Sequence, residues 1–219
     1  MQKRRELFKQ GILAITAATA AMLPVKSLAE TGSATLYQMI IDQNRCMGCQ
    51  TCVLACKAQN DIAPNQFLTR VLMREEASGI GGRQIFKPVG CNQCESPQCL
   101  AACPFKAISK LNNGIVVTDW TLCRGVKACN NACGTACPFH ARISDSRFTG
   151  KSDKCDYCAE RLEVKLQPAC VEACPARARI FGNSREASGE FAKYLQHPAL
   201  SSSSVEQLIA TSTKYIPLR

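Results

Sequence analysis

The sequence predicts an α+β fold built of two similar halves, in which short strands and brief helices are strung between long loops. Three observations predict it. The 219 residues hold sixteen cysteines, and these fall into four groups of four. Three of the groups close with Cys-Pro, at Cys103-Pro104, Cys137-Pro138 and Cys174-Pro175. Two short β-prone runs, Tyr37 to Ile41 and Ile115 to Thr118, each lead to an aspartate four residues before the first cysteine of a group: Asp42 before Cys46 and Asp119 before Cys123. Repetition of this kind argues for one structural unit used twice. An alanine also recurs three residues beyond each Cys-Pro proline, at Ala107, Ala141 and Ala178.

The cysteine spacing carries the chemistry. The first group is Cys46-x2-Cys49-x2-Cys52-x3-Cys56 and the second is Cys91-x2-Cys94-x4-Cys99-x3-Cys103. Both follow the bacterial run in which three near cysteines wrap one iron-sulfur cluster and the fourth ligates its neighbour, so clusters come in pairs. The fourth group, Cys155-x2-Cys158-x11-Cys170-x3-Cys174, is the same theme with a long excursion. Sixteen thiolates are what four 4Fe-4S clusters require. Without iron the chain is expected not to fold, because metal ligation replaces much of the apolar burial that a loop-rich chain lacks.

Two registers accommodate the third group, Cys123-x5-Cys129-x3-Cys133-x3-Cys137. Counted from Cys123, the second ligand position falls on Val126 and Cys137 is surplus; the site then has three protein ligands and holds a 3Fe-4S cluster, or uses Cys137 as a substitute. Counted from the Cys-Pro end, Cys137 is the fourth ligand and Cys133 the third. The second register is preferred, since it uses all sixteen thiols and Cys137-Pro138-Phe139-His140-Ala141 copies Cys103-Pro104-Phe105-Lys106-Ala107. Zinc ribbons use two separated ligand pairs and do not require a Cys-Pro end. Disulfide scaffolds are typically much shorter and do not repeat this spacing.

The amino terminus points to export. Lys3-Arg4-Arg5-Glu6-Leu7-Phe8-Lys9 is a charged segment with a twin arginine, Gly11 to Leu23 is mildly apolar, and Ser27-Leu28-Ala29 offers small residues for cleavage after Ala29. Residues 1–29 are therefore expected to be a twin-arginine signal peptide, with a permanent anchor the weaker alternative. That route moves folded cargo, which suits clusters assembled in a reducing cytoplasm, and it places the mature protein in the periplasm. No other segment approaches the roughly 20 apolar residues of a transmembrane helix, so no direct transmembrane span is expected.

The formal charge of +10 misleads. The signal accounts for +4 of it, leaving +6, and each oxidised cluster with four thiolates adds roughly −2. The loaded protein is near neutral or slightly acidic, and no aromatic-basic stripe supports nucleic-acid binding. Lys106, Arg142, Arg177 and Arg179 all follow Cys-Pro turns, where each either raises a nearby cluster potential or is a solvated surface cation. Residues 30–182 are expected to form the cluster domain, including an insertion at 57–90 with a strand over Phe67 to Met73 and a glycine cluster at Gly79 to Gly82. That cluster lacks the context of a phosphate loop. Residues 183–219 are expected to be a terminal tail, either a surface tail or a docking arm, with a helix over Glu186 to Leu195 and a loop at Ser201 to Ser204.

The four groups, the Asp-x3-Cys repeats, Asp153-Lys154-Cys155-Asp156-Tyr157-Cys158 and Pro168-Ala169-Cys170-Val171-Glu172-Ala173-Cys174-Pro175 resemble the four-cluster ferredoxin-type electron-transfer subunits of molybdopterin oxidoreductase complexes. That family includes the subunits of tetrathionate, thiosulfate, polysulfide, arsenate and dimethyl sulfoxide reductases, and the ferredoxin of periplasmic nitrite reduction. The resemblance covers nearly all of Gln38 to Gly182. It implies two ferredoxin-like modules with exchanged fourth ligands. Cys46, Cys49 and Cys52 would take Cys174; Cys155, Cys158 and Cys170 would take Cys56; Cys91, Cys94 and Cys99 would take Cys137; Cys123, Cys129 and Cys133 would take Cys103.

It also implies partners. These are a catalytic subunit carrying molybdopterin and a quinol-oxidising membrane anchor subunit, with electrons relayed between them and no catalytic residue on this chain. A periplasmic multihaem nitrite reductase is the alternative partner. A different class, a catalytic or sensory protein with an open iron site near Val126, follows if Cys137 does not substitute. His140 and His197, the two histidines, fit no catalytic pattern.

Overall fold

β1 (Tyr37–Asp42) is the organising strand, since it is apolar on both faces and lies between two others. The structure is a computed structural model that describes residues 35–76, 82–145, 147, 150–200 and 209–218. The signal segment expected at 1–29, most of the Gly79 to Gly82 cluster and the Ser201 to Ser204 loop lie outside the described residues. β8 (Arg179–Asn183) pairs antiparallel to β1, from Tyr37 opposite Asn183 to Ile41 opposite Arg179. β9 (Thr213–Ile216) pairs parallel on the other edge, from Met39 opposite Thr213 to Asp42 opposite Ile216. Alternation sends Met39 and Ile41 to one side, onto Val53, Tyr157, Phe181 and Tyr215, and Ile40 to the other, onto Ile180, Phe191 and Ile216.

Around this sheet the cysteine loops carry brief helices. α1 (Thr51–Gln59) follows Cys49 and packs on α5 (Ala169–Glu172); α2 (Gln98–Ala101) packs on α3 (Ala132–Thr135). α4 (Ala159–Glu163) follows Cys158. Three hairpins complete the fold: β2 (Thr69–Glu76) with β3 (Arg83–Gly90), β4 (Ile108–Lys110) with β5 (Val116–Thr118), and β6 (Ile143–Asp145) with β7 (Lys151–Asp153). The mixture of short helices and strands is the expected α+β class.

Several expectations are corrected. Within the 183–219 segment, expected to be a surface tail or a docking arm, the described residues include a strand packed into the main sheet. Tyr215 and Ile216 are 2% and 1% exposed, and β9 completes the main sheet because its apolar side chains continue both faces of β1. The helix expected over Glu186 to Leu195 is shorter: a 3-10 turn over Ser184–Glu186, closed by the Asn183 side chain accepting from the Arg185 N–H, precedes α6 (Gly189–Leu195). Ala187 and Ser188, both extended, break the helical path between them, and Gly189 opens α6 at φ +58. Phe191 then lies so close to β8 that a Cβ on Gly182 would stand 2.6 Å from its ring, so only glycine fits there.

The strand expected over Phe67 to Met73 begins later, at Thr69. Lys57 Nζ donates to Ala63 O and Gln66 O, both at 2.8 Å, and sits 4.6 Å over the Phe67 ring, which holds that stretch as a turn. Its partner β3, not foreseen, runs unbroken through Pro88, which stands opposite Val71; a two-stranded hairpin tolerates proline.

Replacing Ile216 by alanine is expected to destabilise the fold by about 2–5 kcal/mol. Replacing exposed Leu72 is expected to shift stability by less than about 0.5 kcal/mol. Thermal unfolding of the iron-loaded protein followed by far-ultraviolet circular dichroism checks both.

Candidate functional site

Each Cys-Pro end builds the same turn. Lys106, His140 and Arg177 adopt left-handed φ values of 51, 46 and 49 degrees. Their N–H groups donate to the carbonyls of Cys103, Cys137 and Cys174 at 3.2, 3.1 and 3.1 Å. The turn drops the following alanine into the interior: Ala107, Ala141 and Ala178 are buried. Strands β4, β6 and β8 begin at or within two residues of those alanines. Two of these turns are tied to the aspartate repeats, since Asp42 N–H donates to Ala178 O at 2.9 Å and Asp119 N–H to Ala107 O at 2.7 Å. Each aspartate then starts its cysteine loop with an Asx turn, Asp42 Oδ1 accepting from Asn44 N–H and Asp119 Oδ1 from Thr121 N–H. His140 thus serves a turn, and His197 Nδ1 accepts from Ala199 N–H at 3.2 Å.

All sixteen cysteines are described, and none forms a disulfide. Cys56, Cys155, Cys158 and Cys170 line one cavity. Cys91, Cys94, Cys99 and Cys137 line a second. The second cavity draws three thiols from one sequence group and the fourth from a distant one; the first draws three from the fourth group, Cys56 from the first group and, at its border with the second cavity, Cys91. Cys137 stands in the second group's cavity, as the Cys-Pro register expects. Cys46, Cys52 and Cys174 lie near enough to one another to interact electrostatically, with Cys49 exposed and accepting from Thr51 Oγ1 at 3.4 Å. Of the remaining set, Cys103 packs with buried Cys133 against Ile108 and Val116. Cys123 and Cys129 are half-buried on the loop before α3, where Cys129 lies beside the Gly125 and Val126 carbonyls. Val126 opens a 3-10 turn and its N–H donates to Gly150 O at 2.8 Å.

Burial dominates the electrostatics of the thiols. It pushes Cys56 and Cys94 up to about 12 and Cys158 up to about 11, with neighbouring thiols adding to the shift. Burial likewise raises Cys46, Cys99, Cys155 and Cys170. Such thiols are protonated at neutral pH until a metal displaces the proton. Cys49 is the contrast, held below its usual range by the Thr51 hydroxyl and N–H.

Two features of the cavities fit an anionic iron-sulfur cluster. Among the described residues no three His, Cys, Asp or Glu side chains close on a point as one ion requires, while five thiols line the first cavity and four the second. A lone zinc ion would draw its sulfurs to about 2.3 Å. Second, each cavity wall holds a buried guanidinium with one N–H lacking a partner: Arg179 Nε in the first, Arg142 Nη1 in the second. A dianionic cluster would give these donors a counter-charge. Burial alone would lower the Arg179 pKa, but the thiolate forms of Cys170, Cys52 and Cys155 outweigh it and raise it.

Of the four cations that follow Cys-Pro turns, Arg142 and Arg179 thus face cavities, while Lys106 and Arg177 are exposed. Two further residues were missed in the sequence. Lys154, 3% exposed, lines the second cavity. Gln93, 0% exposed, donates to Cys155 O at 2.6 Å and accepts from Val116 N–H at 2.7 Å. Each adjoins a cysteine ligand candidate, and that adjacency was the available signal. Cys91 lines both cavities, so the two adjoin.

Residues 83–184 match the model of a 4Fe-4S dicluster domain, and residues 37–58 that of a 4Fe-4S binding domain. A tetrathionate reductase subunit of Salmonella typhimurium is 37% identical over 166 residues, covering 74% of this chain and 64% of that protein. The thiosulfate reductase electron transfer subunit of Salmonella typhi is 40% identical over 153 residues, 68% of this chain and 77% of that one. A component of the anaerobic dimethyl sulfoxide reductase of Escherichia coli is 36% identical over 156 residues, 68% and 74% respectively. The chain belongs to the family of iron-sulfur subunits of dimethyl sulfoxide, tetrathionate and thiosulfate reductases.

Proposed function

We propose that this protein is a four-cluster electron-relay subunit of an anaerobic respiratory reductase. It would work in the periplasm between a quinol-oxidising membrane subunit and a molybdopterin catalytic subunit that reduces a sulfur oxyanion or similar substrate. The observation that carries the reading is the pair of adjoining cavities that share Cys91, each of which brings three thiols of one cysteine group together with the last thiol of a distant group, Cys56 in the first and Cys137 in the second. Exchange of a fourth ligand between groups is the mark of paired clusters. The repeated Asp-to-Ala bond between β1 and β8, and again between β5 and β4, supports two ferredoxin-like modules related by a pseudo-twofold. Ligands are assigned as four sets: Cys46, Cys49, Cys52 and Cys174; Cys56, Cys155, Cys158 and Cys170; Cys91, Cys94, Cys99 and Cys137; and Cys103, Cys123, Cys129 and Cys133.

When bound, 4Fe-4S clusters supply one-electron transfer. This chain's own part is to hold them. The Cys-Pro turns hold the fourth thiols Cys103, Cys137 and Cys174, α1 holds Cys56, and the apolar walls of Met39, Ile41, Leu68 and Tyr215 limit water at the first cavity. The shared Cys91 wall keeps the two modules in contact. No substrate chemistry is assigned to this chain. No helix among the described residues is long and apolar enough to cross a membrane, so the membrane link is assigned to a partner.

Iron and labile-sulfide analysis of the anaerobically purified chain is expected to give about sixteen of each, with no 3Fe-type signal in the oxidised electron paramagnetic resonance spectrum. About fifteen irons with such a signal would return Val126 to the ligand position. The Cys137→Ser variant is expected to perturb one cluster and leave the other three intact. Changing Arg4 and Arg5 together to lysine is expected to leave the protein in the cytoplasm, assayed by fractionation. A complex isolated from the native source is expected to contain molybdenum; haem without molybdenum would favour the nitrite-reductase partner.

A further inference from the structure

The two described cavities differ in the charge of their walls. The first is lined by Arg179 and Asp156, one cation and one carboxylate. The second is lined by Arg142 and Lys154 and by no carboxylate. Both cations of the second cavity are held by neutral groups. Arg142 Nε donates to Ser152 Oγ at 3.0 Å and Nη2 to Thr118 Oγ1 at 2.8 Å, which leaves Nη1 buried without a partner. Lys154 Nζ donates to the carbonyls of Val116 and Cys155. The carboxylate that feels both cations is Asp153, whose Oδ1 accepts the Lys154 backbone N–H at 2.7 Å and which does not line the cavity.

We propose that Arg142 and Lys154 set the reduction potential at the Cys91, Cys94, Cys99 and Cys137 site above that at the adjoining Cys56, Cys155, Cys158 and Cys170 site. The inference rests on the four-cluster reading above. Its physical basis is that reduction adds one negative charge to a cluster. A cation in the wall stabilises the reduced form more than the oxidised one, and a carboxylate does the opposite. Two cations against a balanced pair therefore make the second site the electron's resting place between the modules. Both cations act through the cluster's surroundings and so are potential-setting residues rather than ligands.

The test is an equilibrium redox titration of the iron-loaded chain, followed by electron paramagnetic resonance, on the wild type and on Arg142→Gln, Lys154→Gln and Arg142→Lys. Arg142→Gln and Lys154→Gln are each expected to lower the midpoint of a single signal, the one that Cys137→Ser perturbs. The shift is at least tenfold in its reduction equilibrium, about 59 mV for one electron. Arg142→Lys keeps the charge and is expected to restore the wild-type midpoint. An equal fall in Arg142→Lys overturns the proposal in favour of a packing role. Unmoved midpoints, or movement of a different signal, also overturn it. Where Arg142→Gln loads no iron, Lys154→Gln decides alone by the same criteria. A wild-type chain without four clusters defeats the electron-relay reading itself, whereas four clusters with unmoved midpoints defeat only this inference.

Discussion

A guanidinium with an unsatisfied N–H is costly to keep in a dry cavity walled by neutral thiols, and the rest of this structure depends on resolving that cost. Arg179 is 6% exposed and Arg142 holds Nη1 out of water. The thiols beside them are raised by burial and give up their protons only to a metal. An iron-sulfur cluster answers both demands together, because its ligation takes the thiol protons and its charge offsets the cations. This is why so little apolar surface needs to be buried elsewhere. The hydrophobic clusters are small, and several count cysteines among their members.

The elements written as repeats were legible in the sequence. Tyr37 to Ile41 and Ile115 to Thr118 carry β-branched or aromatic residues next to a cysteine group, and both became strands within one residue of the expected bounds. β4, β6 and β7 have three residues each, too few for a period-two pattern to rise above chance. The positions of β4 and β6 are set by the buried alanine after a Cys-Pro turn, and that of β7 by its pairing with β6, not by their own residues. β9 was illegible for another reason. Thr213 to Ile216 is ordinary strand sequence, but its pairing with β1 spans most of the chain, and no local pattern announces so distant a partner.

At the site, the candidate cysteines were legible and the electrostatic setting was not. Cysteine spacing encodes a loop around a metal, so the sixteen candidates could be read from their intervals. The interval from Cys123 to Cys129 left open where the Cys137 thiol points, and its place beside Cys91, Cys94 and Cys99 comes from the fold. Lys154 and Gln93 have no spacing rule, and a lysine or glutamine between cysteines usually faces water. Burial inverts that expectation for Lys154, whose Nζ is spent on two carbonyls. The difference between exposed Lys106 and half-buried Arg142 is likewise one of depth, which their common position after a Cys-Pro turn does not reveal.

The carboxy-terminal strand shows how the two halves constrain each other. Thr213 and Tyr215 both line the first cavity. Tyr157, between two ligand candidates of the fourth group, shares a 2.7 Å hydrogen bond with Thr213 Oγ1, and the Ser212 and Thr213 N–H groups both donate to Asn92 O at 3.1 Å. Asn92 in turn adjoins Cys91, the residue common to both cavities. β9 therefore joins the fourth group to the second through its own side chains and backbone, and Lys87 Nζ caps the outer face of Tyr215 at 4.7 Å from the ring. A strand in that place cannot come away as a docking arm without opening the cavity wall. A partner that docks there must meet the sheet as it stands, with the cavities already closed behind it.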